Sequence, residues 1–124
     1  MDNLVAVNKI DSLVEEKVEL LINNQKVVAF NASPQEVEIG EEYKAEIDIF
    51  TNDFLEITEQ KNEQIKRIEH LNNFSYMLWG ELLEDNVLDV GFFITSDLLE
   101  DYEHLVGHYI SFEVDRLQTV SYTH

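Results

Sequence analysis

Two histidines, His104 and His108, stand four residues apart in the sequence, and several acidic residues precede them. A spacing of four places two imidazoles on one face of a helix, as in the histidine pairs of zinc enzymes. A glycine between them is typical of a helix end, so the two rings would not share a face. No third ligand can be assigned. We favour two polar histidines near a helix end, where the dipole stabilises them, and predict no metal site.

Acidic residues also bind calcium, and residues 48–59 begin and end with one. Asn52 stands at the fifth position of this segment, where an EF-hand loop has a ligand. However, Phe50 occupies the third position, and Asp53 occupies the sixth, where the loop needs glycine for its sharp turn. The sequence therefore predicts no calcium loop.

Paired carboxylates hydrolyse glycosides when a defined distance separates them, and Glu81, Glu84 and Asp89 flank one predicted hairpin. With 26 acidic residues in the chain, such neighbours arise by chance, and a solvated hairpin is the simpler interpretation. The four glycines form no nucleophile elbow, phosphate-binding loop or dinucleotide-binding pattern. We predict that the protein is not an enzyme and has no catalytic residues and no cofactor.

The composition predicts one folded domain over residues 1–124, since the chain is long enough to bury a core and 44% of it is hydrophobic. The absence of cysteine excludes disulfides, thiolate ligands and a cysteine nucleophile. The first residues lack the pattern of a signal peptide, and every apolar run is shorter than a membrane span. We expect a cytoplasmic protein.

The charge is strongly acidic, with 26 acidic residues against 8 basic ones and a net charge of −18. Such a field repels nucleic acids and anionic membranes, whose binding depends on lysine and arginine. It attracts basic proteins and accelerates their association. The alternative is that the acidity serves solubility alone.

A strand is predicted at residues 43–50, because apolar and charged side chains alternate with a period of two. The residues expected to point inward are Tyr43, Ala45, Ile47 and Ile49, and those expected to point outward include Glu46 and Asp48. Carboxylates two residues apart on a strand lie about 7 Å from each other and repel by roughly 0.6 kcal/mol in water. Their retention favours a use for the acidic face.

Three hairpins are predicted at asparagine-containing turns, because asparagine and aspartate tolerate the left-handed backbone that tight turns require. Asn23-Asn24 would join strands at about 17–22 and 26–31, and Asp85-Asn86 would join strands at about 74–84 and 87–94. Asn72-Asn73 is the third candidate turn. A further strand is expected at 108–115 or somewhat beyond.

One helix is predicted at about residues 96–106, with Ser96 as its N-cap and Gly107 after its end. Residues 58–71 fit either a helix or a strand. The segment "VNKIDSLVEE" favours a short helix.

These elements predict a mainly β fold, a small antiparallel barrel or sandwich of six to seven strands with one or two short helices. Residues 74–120 resemble a small Greek-key barrel of the oligonucleotide/oligosaccharide-binding kind, closed at one end by a helix. Nucleic-acid binders of that fold place basic residues among aromatic ones, whereas the faces here are acidic. The aromatic residues of the central hairpin, Trp79 among them, are expected to be largely buried.

A small, acidic, cysteine-free protein without catalytic motifs resembles the immunity proteins that neutralise bacterial toxins. That resemblance implies a basic protein partner, a toxin or nuclease, whose active site is occluded by carboxylates. The alternatives are a nucleic-acid-mimicking inhibitor and an adaptor or structural subunit of a larger complex. The predicted partner-binding residues are Glu42, Glu46, Asp48, Asp97, Glu100, Asp101 and Glu103.

Overall fold

The computed structural model describes residues 1–14, 16–33 and 36–123. These residues form eleven strands and one 3₁₀ helix, which confirms the mainly β prediction. The strand number exceeds six to seven because three strands contain only two or three residues and because the N-terminal segment adds β1. The strands are β1 Asn3–Ile10, β2 Lys17–Ile22, β3 Gln25–Asn31, β4 Glu42–Phe50, β5 Thr58–Glu59, β6 Arg67–Asn72, β7 Ser75–Leu83, β8 Val87–Asp89, β9 Phe93–Thr95, β10 Tyr109–Val114 and β11 Arg116–Thr123.

Five of these strands close into a barrel in the order β1-β2-β3-β11-β4, with β4 returning to pair with β1. All pairs are antiparallel except β3 with β11. The order β4-β1-β2-β3 is that of a Greek key. The closed barrel is therefore built from the N-terminal fifty residues and the last strand. The prediction had placed it within residues 74–120, which supply only part of β11.

The barrel interior follows the alternation of β4. Tyr43, Ala45, Ile47 and Ile49 are all buried, as predicted. The outer side of β4 differs from the prediction, because Glu46 and Asp48 are half-buried rather than exposed. The N-terminal amine lies 3.9 Å from Glu46 Oε1, and the Asp48 carboxylate accepts a hydrogen bond of 2.7 Å from the backbone N–H of Ile49.

The predicted hairpin turns are confirmed. Asn23 and Asn24 have φ values of 49° and 66°, and Asp85 and Asn86 both have φ of 62°. Positive φ at both central residues matches the twist of the two-residue turn between β2 and β3. The turn between β7 and β8 has three residues, because Leu83 pairs with Val87. The third turn lies one residue later than predicted, at Asn73 and Phe74, because Asn72 pairs with Ser75; Asn73 has φ of 48°.

The segment "VNKIDSLVEE", residues 7–16, corrects a prediction, because its first four residues belong to strand β1 and not to a helix. Val5 and Val7 alternate into the barrel and are 1% exposed. Pairing of residues 7–10 with β2 outweighs local helix preference. Beyond the strand, the Asp11 carboxylate accepts hydrogen bonds from the N–H groups of Val14 and Leu13, which lower its pKa. Glu15, within the predicted helix, lies outside the described residues.

The ambiguous segment 58–71 contains strands and no helix among its described residues. β5 pairs with β10 through two residues, and β6 pairs with β7. Ile68, which fitted either interpretation, is half-buried against the core.

Residues between β4 and β11 form a second layer, here called the outer sheet, in which β7 pairs with β6, β8 and β10, and β10 pairs with β5. The outer sheet lies against the barrel wall. The N–H of Val28 in β3 donates to Tyr76 Oη in β7 at 2.7 Å. Asn3 donates to the Phe93 carbonyl and accepts from the Phe93 N–H, both at 2.7 Å. Tyr76 is buried as expected, while Trp79 on the opposite side of β7 is half-buried.

The predicted helix is confirmed at Asp97–Leu105 and is of the 3₁₀ type, with non-helical angles at Tyr102. The Ser96 hydroxyl accepts from the Leu98 N–H at 3.2 Å, and Gly107 has φ of 88°. This helix is too short and too polar to cross a membrane, and no other is present among the described residues.

We expect Gly80→Ala to destabilise the protein by about 2 kcal/mol or more, because overpacking against rigid backbone forces a shift. A Cβ at Gly80 would lie 2.4 Å from the Asp89 carbonyl oxygen. Urea denaturation measures the change, with Ser75→Ala on the same strand as the control. Equal stability of Gly80→Ala and the wild type would contradict the close packing of β7 against the β8–β9 turn.

We expect Arg116→Ala to lower the free energy of unfolding by about 1–2 kcal/mol, the range for a partly desolvated cation over aromatic rings. The guanidinium lies 4.0 Å from the Phe30 ring and 4.4 Å from the Phe50 ring, joining β11 to two barrel strands. Lys61→Ala removes the same charge at an exposed position and should change stability little. Equal effects of the two substitutions, measured by denaturant unfolding, would show that only the charge matters.

Candidate functional site

A cleft of about 470 Å³ lies between the β7–β8 hairpin and the 3₁₀ helix and is here called the acidic cleft. One wall is the tip of the hairpin and the other is a face of the helix. Its lining residues are Leu82, Leu83, Glu84, Asp85, Asn86, Leu99, Glu100, Glu103 and Val106.

The hairpin wall is set by the tight turn at Asp85-Asn86. Because both residues are in the left-handed conformation, β7 and β8 stay paired up to Leu83 and Val87. Glu84 and Asp85 therefore sit at the tip, where both are exposed.

The helix wall is fixed to the hairpin at both ends by backbone hydrogen bonds. At the start of the helix, the Ser96 N–H donates to the Asn86 carbonyl at 3.0 Å. At its end, the Gly107 N–H donates to the Leu82 carbonyl at 2.7 Å, and the Leu82 N–H donates to the His108 carbonyl at 3.0 Å. The two walls therefore keep a defined separation without a ligand.

The floor of the acidic cleft is apolar. Leu82 and Leu99 are each 1% exposed and belong to the core, and Val106 packs against it. Leu99 is the residue that anchors the helix, since its neighbours Leu98 and Glu100 are exposed. A side chain entering the cleft would meet hydrocarbon at the bottom and carboxylates at the rim.

The rim carries four carboxylates and no basic side chain: Glu84, Asp85, Glu100 and Glu103. Within the described part of the chain, none of the four takes part in an ion pair. This arrangement suits a lysine or arginine, whose stem packs on apolar surface while its charged head stays at the rim.

The structure divides the predicted partner-binding residues into two groups. Glu100 and Glu103 line the acidic cleft, while Asp97 and Asp101 are exposed on the same helix outside the lining. The other three, Glu42, Glu46 and Asp48, lie on the outer side of β4. They do not line the cleft.

Sequence reasoning missed Glu84 and Asp85 as site residues. The hairpin at Asp85-Asn86 was predicted, but only the fold brings its tip against the helix. The signal available was the pair of acids at a tight turn, which is also the usual composition of a solvated turn.

The N-terminal amine lies between the predicted partner-binding residues of β4 and those of the helix. It donates to Thr95 Oγ1 at 3.0 Å and lies 3.9 Å from Glu46 Oε1. Thr95 is two residues before Asp97 at the start of the helix. The positive charge of the amine therefore offsets part of the repulsion between the carboxylates of β4 and those of the helix.

The resolved pKa shifts lie away from the acidic cleft and have structural causes. The pKa of Lys66 is raised, first by its hydrogen bond of 2.9 Å to Asp89. Burial raises the pKa of the Tyr76 and Tyr122 hydroxyls. These shifts arise from contacts within the fold.

The two histidines have separate surroundings. The His104 ring lies near the Tyr102 ring, with centroids 6.5 Å apart, while His108 Nδ1 lies 2.5 Å from Glu59 Oε1 of β5. Across the described residues, no three histidine, aspartate or glutamate side chains converge to hold a metal ion. His108 instead contributes to holding β5 against β10.

Comparison with known proteins adds a family. No curated protein and no solved structure matches the chain. A family model described as "Uncharacterised conserved protein UCP019853" matches residues 1–122, nearly the whole chain. The protein therefore belongs to the family of uncharacterised conserved protein UCP019853.

Proposed function

We propose that this protein is a non-catalytic binding protein that neutralises a basic protein partner, and that the acidic cleft holds a basic side chain of that partner. The observation that carries the proposal is the rim of four carboxylates without described ion-pair partners, above a floor of core leucines. A rim that this chain leaves un-neutralised is suited to a cation from another molecule.

The proposed mechanism is occlusion. A nuclease or other toxin that acts on an anionic substrate uses lysine and arginine to hold it. Carboxylates of this protein would pair with those residues and cover the active site. The net charge of −18 would accelerate capture over a distance of about a Debye length. This is the role of an immunity protein in a bacterial cytoplasm.

The second candidate is an adaptor subunit, which one feature favours. Five of the six residues of strand β6 are exposed, and its only described pairing is with β7. An open strand edge can pair with a strand of another protein. Binding through such an edge depends on backbone hydrogen bonds and would respond weakly to salt.

We expect neutralisation of the cleft to slow capture of the partner by about tenfold or more while leaving the fold intact. The variant is Glu84→Gln with Glu100→Gln and Glu103→Gln. All three positions are exposed, so the melting temperature should stay equal or rise as repulsion falls. The partner is first isolated from a lysate of the source organism and purified, and the association rate is then measured over a salt series.

The matched control is Glu42→Gln with Glu46→Gln and Asp48→Asn, which removes the same charge from the outer side of β4. Equal slowing by the two triple variants would indicate that only net charge matters and would contradict the cleft as the site. Binding that is insensitive to salt and to both variants would favour the adaptor.

A further inference from the structure

A second groove, of about 440 Å³, lies between strand β10 of the outer sheet and residues 51–58. We call it the Phe54 groove. On the sheet side it is lined by Met77, Ser111, Phe112, Glu113 and Asp115, and on the loop side by Thr51, Asp53, Phe54, Glu56 and Thr58. None of these residues belongs to the acidic cleft.

The loop side of the groove is held in place by hydrogen bonds. The Asn52 N–H donates to the Asp115 carboxylate at 2.6 Å, and the Asp115 N–H donates to the Phe50 carbonyl at 3.0 Å. In the middle, Tyr102 Oη donates to the Leu55 carbonyl at 3.2 Å. At the far end, β5 pairs with β10. The groove is therefore preformed, and binding would not require the loop to become ordered.

Phe54 is 94% exposed, although it is a large apolar side chain. Burial of a phenylalanine contributes about 1.5–3 kcal/mol, and this chain does not use that contribution at Phe54. A single exposed apolar residue is common on protein surfaces. Phe54 differs from most of the partly exposed aromatic rings of this protein, because five of them are covered by a cation.

Five aromatic rings that reach the surface carry a cation of the same chain over their faces. The pairs are Arg67 over Trp79 at 4.4 Å, Arg116 over Phe30 at 4.0 Å and over Phe50 at 4.4 Å, and Lys17 over Phe74 and Lys66 over Tyr109, both at 6.0 Å. Phe54 has no such cation among the described residues. In the closest of these contacts the cation is an arginine.

The surroundings of Phe54 are suited to a cation from outside. Four carboxylates line the groove with it, from Asp53, Glu56, Glu113 and Asp115, and the lining has no lysine or arginine. The aromatic face attracts a cation through its quadrupole, and the carboxylates add direct charge attraction. A planar guanidinium satisfies both demands better than an ammonium, because it stacks on the ring while its N–H groups reach carboxylates at the edge.

We propose that the Phe54 groove binds an extended arginine-rich segment of a protein partner, with one guanidinium over the Phe54 ring and neighbouring arginines paired with the groove carboxylates. An extended segment fits because the groove runs beside β10, whose described pairing with β5 ends at Ser111. This inference rests on the proposed function in that the partner is basic, but it assigns a different surface and a different kind of contact.

The test uses a short synthetic peptide of alternating arginine and serine, with lysine–serine and glutamate–serine peptides as controls. Calorimetry measures affinity, and the fluorescence of Trp79, the single tryptophan, reports binding from a position paired with Ser111. We expect saturable binding of the arginine peptide at one site, weakened by salt. Phe54→Ala and Phe54→Leu should each weaken it about fivefold, since both remove the aromatic face.

A matched pair of triple variants distinguishes peptide binding at the Phe54 groove from attraction to the acidic surface as a whole. Asp53→Asn with Glu56→Gln and Glu113→Gln should weaken peptide binding about tenfold. Glu16→Gln with Glu36→Gln and Glu38→Gln removes the same charge from exposed positions elsewhere and should weaken it less than about twofold. Asp115 is left unchanged because it holds the loop.

Four results would each overturn the inference. They are equal weakening by the two triple variants, wild-type affinity of Phe54→Leu, equal affinity for the lysine peptide, and self-association of the protein that Phe54→Ala abolishes. The last would identify a second copy of the chain as the occupant. If groove variants keep full peptide affinity while cleft variants lose the cognate partner, the inference fails and the proposed function stands. If the peptide binds as expected while cleft variants capture the partner normally, the proposed cleft fails and the groove stands.

Discussion

Strand β11 has to pair with two strands that run in opposite directions, β3 on one side and β4 on the other. It joins residues far apart in the chain, as where Thr119 pairs with Asn31. The Thr119 side chain is fully buried, and its hydroxyl donates to Asn31 Oδ1 at 3.2 Å and accepts from Tyr122 Oη at 2.9 Å. Without this strand, β3 and β4 would expose open edges.

Closure of the barrel by β11 also positions the outer sheet against the barrel wall. Because β11 follows β10 directly, the sheet that carries β7 is drawn against the barrel wall, where Tyr76 accepts from the Val28 N–H. Arg116, at the start of β11, fills the space between Phe30 and Phe50. The acidic cleft and the Phe54 groove both lie on this layer. No residue of β11 lines the acidic cleft or the Phe54 groove, although Asp115, the residue before β11, lines the groove. The positions of both nevertheless depend on β11.

The positions of the basic side chains explain why many carboxylates of this acidic protein have no cation of the same chain beside them. Four of the eight basic side chains, Lys17, Lys66, Arg67 and Arg116, lie over aromatic rings of the chain itself. Two of these also pair with acids, Lys66 with Asp89 and Glu81, and Arg67 with Glu69. The remaining carboxylates keep a strong field at the surface. Both proposed contact surfaces lack a basic residue in their lining.

The amino-acid sequence by itself determined the local features. Alternation placed Tyr43, Ala45, Ile47 and Ile49 inside, and the asparagine-containing turns predicted the hairpins, because side-chain period and left-handed backbone depend on neighbouring residues alone. Ser96 and Gly107 likewise marked the helix. The net charge of −18 also follows from composition alone, and it is the basis for proposing a basic partner.

Only the tertiary structure decided which of these elements meet. The segment "VNKI" is a strand because β2 pairs with it, and the barrel closes through β11 rather than within residues 74–120. Glu84 and Asp85 join Glu100 and Glu103 because backbone hydrogen bonds fix the helix to the hairpin. Such contacts depend on long-range pairing and burial, whose free energy is set by partners distant in the chain and outweighs local preference.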